Sequence, residues 1–235
     1  EGVDASMILA RELLKNKAIP DNLIICIIPI YNIGGSLNRS SFSRANQNGP
    51  ESYGFRGNAQ NLDLNRDFIK TDSKNSHAFQ LIFNEWNPDV FVDTHVSNGA
   101  DYQYTMTLIE TQKDKLNSTL SKYMTSNMVP FLYQEMKKSG FEMTPYVDHL
   151  YETPDSGFVG FLVTPRFATG YTTLHNIIGF ITETHMLKPF DKREASTYAF
   201  LNIIVKEVFL LPQFQHQGLD KDLIERTGIN LKTTH

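Results

Sequence analysis

The chain has 235 residues, of which 40% are hydrophobic, and a formal net charge of −4. This length and composition fit one α/β domain with a sizeable core. The acids and bases are interspersed, which excludes the basic stripe expected of a nucleic-acid-binding protein. The single cysteine, Cys26, lies in an apolar run and is predicted to be a buried small hydrophobe. No apolar run approaches the roughly 20 residues that a membrane-spanning helix needs.

The first part of the chain alternates between helical periodicity and apolar runs. Asp4 is a predicted N-cap, with an apolar stripe behind it. The long polar segment before Phe68 is longer than connections in compact domains usually are. We therefore predict that it is a folded, hydrogen-bonded functional segment. The predicted elements are a helix over Asp4–Asn16, a strand over Leu23–Ile30, the polar loop to Phe68, a helix over Ser73–Trp86 and a strand over Val90–Thr94.

The same alternation continues in the second part. The predicted elements are a strand over Tyr102–Ile109, a helix over Asn117–Lys138, short strands over Phe141–Tyr146 and Gly157–Val163, a turn-rich segment to Asn176, a strand over Ile177–Thr182 and a helix over Arg193–Leu211. This order predicts an α/β fold of three layers, α/β/α, around a central mixed, mostly parallel sheet. Residues 1–212 are predicted to form the domain, and residues 213–235 a polar tail.

Two of the predicted strands end in residues that carry chemistry, His95 and Glu183. Neutral imidazole is a preferred zinc ligand, and Asp93, on the same strand face as His95, could fix its tautomer. The alternative is that His95 is a buried core residue whose ring nitrogens are hydrogen-bonded and that it binds no metal. A carboxylate ending an apolar strand is costly unless it is paired, metal-linked or functional, and its alternative is a salt bridge with Lys188 or Arg193.

The segment from Arg56 to Phe68 concentrates polar residues that folding alone does not require. It contains the run Asp63-Leu64-Asn65-Arg66, with Arg56 ten positions before Arg66. A planar guanidinium makes a bidentate, charge-assisted contact with a carboxylate, so this segment is a candidate anion clamp. Each arginine taken alone would more often be a solvated surface residue.

Together, the Asp-Leu-Asn-Arg run with its upstream arginine and the two strand ends resemble the M14 family of zinc carboxypeptidases. The resemblance implies that Asn65 and Arg66 grip the carboxylate of the substrate. It also implies that Arg56 polarises the scissile carbonyl and stabilises the oxyanion, with Arg44 as the rival for that role. Tyr171 is the candidate for the mobile tyrosine that covers bound substrate in this family, because Gly170 before it could let its loop move.

The resemblance further implies a Zn²⁺ cofactor with His95 as one ligand and Glu183 as the general base that activates zinc-bound water. The family's other two ligands come from a His-x-x-Glu motif near the start of the domain, and no such motif occurs ahead of His95 in this sequence. We expect them just upstream of Glu1, which itself lies too far along to be that glutamate. The chain as given should therefore bind zinc poorly, because one ligand cannot hold a site that normally uses three.

These observations predict a zinc-dependent carboxypeptidase acting on a peptide or acyl-amino acid with a free carboxylate. Two alternatives stay open: an amidase or deacylase on the same scaffold, including one that cleaves peptidoglycan fragments, and a metal-free carboxylate-binding module. No nucleic-acid partner or membrane span is expected. A periplasmic or secreted location is favoured over a cytoplasmic one because many related peptidases are exported. Side-chain specificity and oligomeric state stay open.

Overall fold

The computed structural model describes residues 1–16, 23–44, 50–97 and 99–210. Within this part of the chain the helices are α1 (Gly2–Asn16), α2 (Ile33–Leu37), α3 (Lys74–Trp86), α4 (Ser118–Tyr123), α5 (Val129–Lys138), α6 (Ala168–Leu174) and α7 (Phe190–Leu210). The strands are β1 (Val90–Ser97), β2 (Met106–Glu110), β3 (Met143–Pro145), β4 (Val147–His149), β5 (Phe158–Gly160) and β6 (Ile178–His185). Single 3₁₀ turns lie at Leu64–Arg66, Lys113–Lys115 and Pro154–Ser156, and a π-helical turn at Met124–Met128 joins α4 to α5.

The central sheet has four strands in the order β1-β6-β2-β3. The β1–β6 and β2–β3 pairs are parallel, and the β6–β2 pair is antiparallel. This mixed, mostly parallel sheet confirms the predicted fold class. Strands β4 and β5 form a separate antiparallel hairpin.

Helices cover both faces of the sheet because side chains alternate along each buried strand. Val92 and Phe180 face a core shared with the linked helices α4 and α5 and with α7. Phe91 and Ile181 face the opposite core, which contains Phe79 of α3 and residues of α6. The three-layer arrangement follows from these two apolar clusters, one on each side of the sheet.

Most of the long periodic elements form where the sequence predicts them. The predicted helix over Ser73–Trp86 is α3, and Ser73 is its N-cap, accepting a hydrogen bond from the Ser76 backbone N–H. The predicted helix over Asn117–Lys138 forms as α4, the π turn and α5, with Asn117 as its N-cap. The turn-rich segment before Asn176 contains α6, which was not predicted.

The strand predicted over Leu23–Ile30 is wrong. No strand forms there, and alternate side chains such as Ile24 are exposed. Cys26, predicted to be buried, is exposed as well. An apolar, β-branched run becomes a strand only where a neighbouring strand pairs with its backbone, and the described residues provide no such partner for this segment.

The predicted tail over 213–235 lies outside the described residues. None of the described helices is long and apolar enough to cross a membrane.

Candidate active site

His95 and Glu183 lie side by side on the sheet. The parallel register of β1 and β6 pairs these two residues directly, and both side chains project from the same face. His95 Nδ1 lies 3.5 Å from Glu183 Oε1, and His95 Nε2 lies 2.8 Å from Asp93 Oδ2. The predicted juxtaposition of these two strand-end residues is therefore confirmed. It lies at the carboxyl ends of two parallel strands, where open α/β sheets bind ligands.

The structural alternatives for Glu183 do not hold. Arg193 is paired with Glu1, at 3.1 Å between Nη1 and Oε2, and Lys188 is paired with Asp101, at 2.8 Å between Nζ and Oδ1. Among the described residues, the ion-pair contact of the Glu183 carboxylate is with His95, and its side chain is 13% exposed. A partly accessible carboxylate beside an imidazole, with both neighbouring cations engaged elsewhere, is available for chemistry.

The two carboxylates beside His95 favour the protonated form of its imidazole. Burial on its own lowers the pKa of the imidazole, but the carboxylates of Asp93 and Glu183 outweigh this effect and raise the pKa well above its ordinary value. Asp93 occupies Nε2, so Nδ1, which faces Glu183, is the nitrogen left for a metal ion.

The described residues do not by themselves make a complete zinc site. In residues 1–16, 23–44, 50–97 and 99–210, no group of three or more His, Cys, Asp or Glu side chains could hold a metal ion. They provide one ligand of the right chemistry, His95, and a carboxylate, Asp93, that orients it. Any further ligands have to come from other residues.

The loop after β1 is fixed by residues that follow Glu183. The Met186 backbone N–H donates to the Ser97 carbonyl at 3.0 Å, and His185 Nε2 lies 3.0 Å from the Gly99 carbonyl. His185 is buried, and its Nδ1 accepts from the Leu187 N–H at 3.2 Å. Both ring nitrogens of His185 are thus engaged by backbone, and its role is to hold the loop beside His95.

Tyr146 belongs to this site, and sequence reasoning missed it. Its hydroxyl bonds the Ser97 side chain, and a Cβ added at Gly99 would lie 3.4 Å from that hydroxyl. Burial raises the pKa of Tyr146, and the negative charge of Glu183 raises it further, so the phenol stays protonated. It follows β3 without any recognisable motif, so its position depends on the register of the sheet.

A row of aromatic rings runs from this edge to the polar loop. The rings of Tyr146 and Phe161 are 5.7 Å apart between centroids, and those of Phe161 and Phe167 are 5.3 Å apart. The guanidinium of Arg66 lies over Phe167, at 4.6 Å from the ring centroid. This aromatic row, Tyr146–Phe161–Phe167, connects the surroundings of Glu183 to the predicted clamp.

The loop that carries the clamp is held by carboxylates. Asp63 accepts from the Asn65 backbone N–H at 3.0 Å and pairs with Arg56 Nε at 2.9 Å. The Asn65 Oδ1 atom is buried and has no hydrogen-bond partner among the described residues. A buried amide oxygen without a partner is costly, and it is free to accept a hydrogen bond from a donor group of a ligand, such as a substrate N–H.

Four arginines converge here. Burial lowers the pKa of Arg66; the charge of Asp63 opposes this effect, while those of Arg56 and Arg166 reinforce it. Burial also lowers the pKa of Arg44, and the charge of Arg56 adds to that shift. The structure therefore brings together the predicted residues Arg44, Arg56 and Arg66 and adds Arg166, which the sequence did not single out.

Asp67 anchors this loop to the start of α3. Its buried carboxylate accepts hydrogen bonds from the backbone N–H groups of Asp72 and Ser73 and from the Ser76 hydroxyl, at 2.9, 3.0 and 2.6 Å. Burial by itself would raise the pKa of Asp67, but these hydrogen bonds outweigh it and lower the pKa below its ordinary value. The stabilisation is therefore present above the unfolded-state pKa near 3.8 and is lost as the pH falls through the lower folded-state value.

We expect Asp67→Asn to lower the free energy of unfolding by about 1–3 kcal/mol at neutral pH, because it removes charge-assisted hydrogen bonds from a buried group. Denaturant titrations at several pH values should show this difference shrinking below about pH 4. Asp72→Asn is the control, since that carboxylate is half exposed and pairs with Lys70. Equal losses in the two variants would show that Asp67 does not anchor the loop.

The role predicted for Tyr171 is wrong. The residue lies on α6, 4% exposed, with its ring 5.4 Å from Phe83 and 6.2 Å from Phe68 between centroids. A side chain packed into the core in this way cannot cover a bound substrate. The glycine before it, Gly170, does not loosen a loop but allows close packing, because a Cβ there would lie 2.0 Å from the Thr164 carbonyl oxygen.

The fold and the site define a three-layer α/β domain with an Asp–His–Glu cluster at one end of a mixed sheet and an arginine-rich loop beside it. No protein-family model and no curated protein matches the chain. Four solved chains are similar to it, among them a metallo-carboxypeptidase from Burkholderia cenocepacia, at 16% identity and a TM-score of 0.49. That likeness covers 67% of this chain and 42% of the other, so the chain spans less than half of that structure's length. Membership of the M14 family stays a prediction from the sequence motifs.

Proposed function

We propose that this chain is part of a metallocarboxypeptidase that hydrolyses the C-terminal peptide bond of its substrate. The observation that carries the proposal is the direct pairing of His95 with Glu183 on adjacent parallel strands, with Asp93 on the far nitrogen of the imidazole. The motif resemblance supports the same conclusion independently, because it names these two residues and the Asn65–Arg66 clamp. A bound zinc ion would supply Lewis-acid activation of water, with His95 as one of its ligands.

Glu183 takes the role of general base. Its carboxylate accepts a proton from the attacking water and passes that proton to the amine that leaves. The 13% exposure of its side chain keeps it reachable by water while limiting its solvation. Tyr146 stays protonated because burial and the negative charge of Glu183 both raise its pKa, and its hydroxyl bonds the Ser97 side chain.

The arginine-rich loop binds the negatively charged groups of the substrate and of the transition state. Arg66 and Asn65 bind the terminal carboxylate of the substrate, a contact for which the guanidinium fork of Arg66 and the Nδ2 amide donor of Asn65 are suited. Arg56 stabilises the oxyanion that forms at the scissile carbonyl. Asp63 engages the Nε atom of Arg56, which orients the guanidinium and leaves its two terminal nitrogens for substrate.

A matched pair of peptides, one with a free C-terminal carboxylate and one amidated, tests this assignment on the full-length, zinc-loaded protein. Wild type should prefer the free acid. Arg66→Ala should lower kcat/KM for the acid by roughly 10- to 100-fold, mostly through KM, and affect the amide much less, because one charge-assisted contact is lost. Arg11→Ala, on the exposed face of α1, controls for the removal of a charge.

Equal hydrolysis of both peptides by wild type would show that the enzyme does not recognise the terminal carboxylate of its substrate. An endopeptidase, amidase or deacylase on the same scaffold would then replace the carboxypeptidase.

The second candidate is a metal-free carboxylate-binding module, favoured by the fact that the described residues contain no group of three or more His, Cys, Asp or Glu side chains that could hold a metal ion. Elemental analysis of the full-length protein separates the two. The peptidase should carry about one zinc per chain, strongly reduced in His95→Ala, whereas the binding module should carry none. In the 235-residue form we expect poor zinc retention. Tight stoichiometric zinc there, unaffected by His95→Ala, would mean that the metal site lies elsewhere.

A further inference from the structure

The arginine-rich loop and the start of α6 concentrate more positive charge than the proposed clamp requires. Arg44, Arg56, Arg66 and Arg166 lie together in a chain whose formal net charge is −4. Within the part of the chain that the structure describes, one carboxylate, Asp63, makes an ion pair with this group, and its partner is Arg56. The other three guanidiniums have no carboxylate within ion-pair distance there.

Holding like charges close together without counterions raises the free energy of the empty site. The cost is offset when an anion binds, so an uncompensated arginine cluster favours ligands that bring matching negative charge. A single α-carboxylate neutralises one guanidinium, that of Arg66 in the proposed function. A second guanidinium at the same place then stays uncompensated.

Arg166 is the guanidinium placed to meet a second anion. It stacks on the same ring as Arg66, with Cζ positions 5.7 and 4.6 Å from the Phe167 centroid, respectively. Its own side chain is exposed, and its charge is close enough to lower the pKa of Arg66. Phe167 is half-buried and ends the aromatic row. Two cations thus lie against one partly exposed aromatic ring.

We infer that the residue at the C-terminus of the substrate is itself acidic, a glutamate or aspartate whose side-chain carboxylate binds Arg166. The inference rests on the proposed function for the position of the α-carboxylate at Asn65 and Arg66. Phe167 provides the apolar contact for the methylene groups between the two carboxylates. An amide of the same shape, as in glutamine, would leave Arg166 uncompensated and would bind less well.

Two matched comparisons test this with the full-length protein. The first is calorimetric binding of N-acetylglutamate against N-acetylglutamine. The second is kcat/KM for two peptides that differ only in a C-terminal glutamate or glutamine. Wild type should favour the acid by about tenfold, the low end for a charge-assisted contact because Arg166 is exposed. Arg166→Gln should bring the acid-to-amide ratio close to one. Added salt should reduce the wild-type ratio by screening.

Lys122→Gln is the matched control, because it removes one exposed cation from α4, in the helix layer on the opposite face of the sheet. It should keep the wild-type ratio. A wild-type protein that binds and cleaves both ligands equally well would overturn the inference and leave the proposed function standing. Binding of N-acetylglutamate that depends on Arg166, in a protein that cleaves no peptide, would support the acidic subsite and refute the peptidase.

Discussion

Glu183→Gln in the full-length, zinc-loaded protein is expected to lower kcat by about 10²- to 10⁴-fold, the usual cost of removing a general base. Glutamine keeps the size of the side chain and its acceptor oxygen but cannot take a proton from water. The residue lies within β6, paired with both β1 and β2, so the backbone geometry should survive the change. Circular dichroism and zinc content should match wild type.

The control for this experiment is Glu142→Gln, which removes an exposed carboxylate paired with Lys137. Its activity should equal that of wild type. Retention of most of the turnover by Glu183→Gln, with zinc still bound, would mean that another group moves the proton. Tyr146 would then be the next residue to replace, since its hydroxyl lies in the same environment.

Arg56→Ala should lower kcat by about 10²- to 10³-fold, the loss seen when an oxyanion donor is removed. The fall should appear in kcat more than in KM, because the interaction is made in the transition state. The change also frees the Asp63 carboxylate, which caps the turn that carries Asn65. Asp63→Asn keeps the Arg56 guanidinium but removes its ion pair, so it measures the contribution of the turn and of Arg56 orientation together, and it should cost less than the loss of Arg56 itself.

Arg44→Ala is the decisive comparison, because Arg44 is the rival donor and lies in the same cluster. A larger fall in kcat for Arg44→Ala than for Arg56→Ala would exchange the two roles. Equal small effects in both would show that neither guanidinium faces the oxyanion.

The elements that follow from the sequence are those whose own periodicity is long enough to identify them. β1 and β6 read as apolar runs, and α3 carries a Ser73 cap together with a buried stripe. The failures have a common cause in long-range contacts. The run Leu23–Ile30 has the composition of a strand but no pairing partner among the described residues, and the seven residues of α6 are too few to show a helical period.

The residues of the site also fall into those that the sequence identifies and those that only the structure identifies. His95, Glu183 and Arg66 stand out because polar residues at strand ends or in a dense polar loop have no folding reason to be there. Tyr146 and Arg166 do not stand out, because their importance comes from neighbours far away in the chain, such as Ser97 and Arg66. Tyr171 was misread because an aromatic residue after a glycine gives the same local pattern in a mobile loop and in a packed helix.

The placement of His95 and Glu183 on hydrogen-bonded neighbouring strands has a consequence for engineering. Their separation is set by the interstrand spacing of about 4.8 Å rather than by any connecting loop. The aromatic row and Arg166, in contrast, belong to the stretch over 146–167, which β4, β5 and their turns build outside the central sheet. Selectivity can therefore be altered at exposed positions of that stretch, leaving its buried core residue Val163 unchanged, while the reactive pair keeps its spacing.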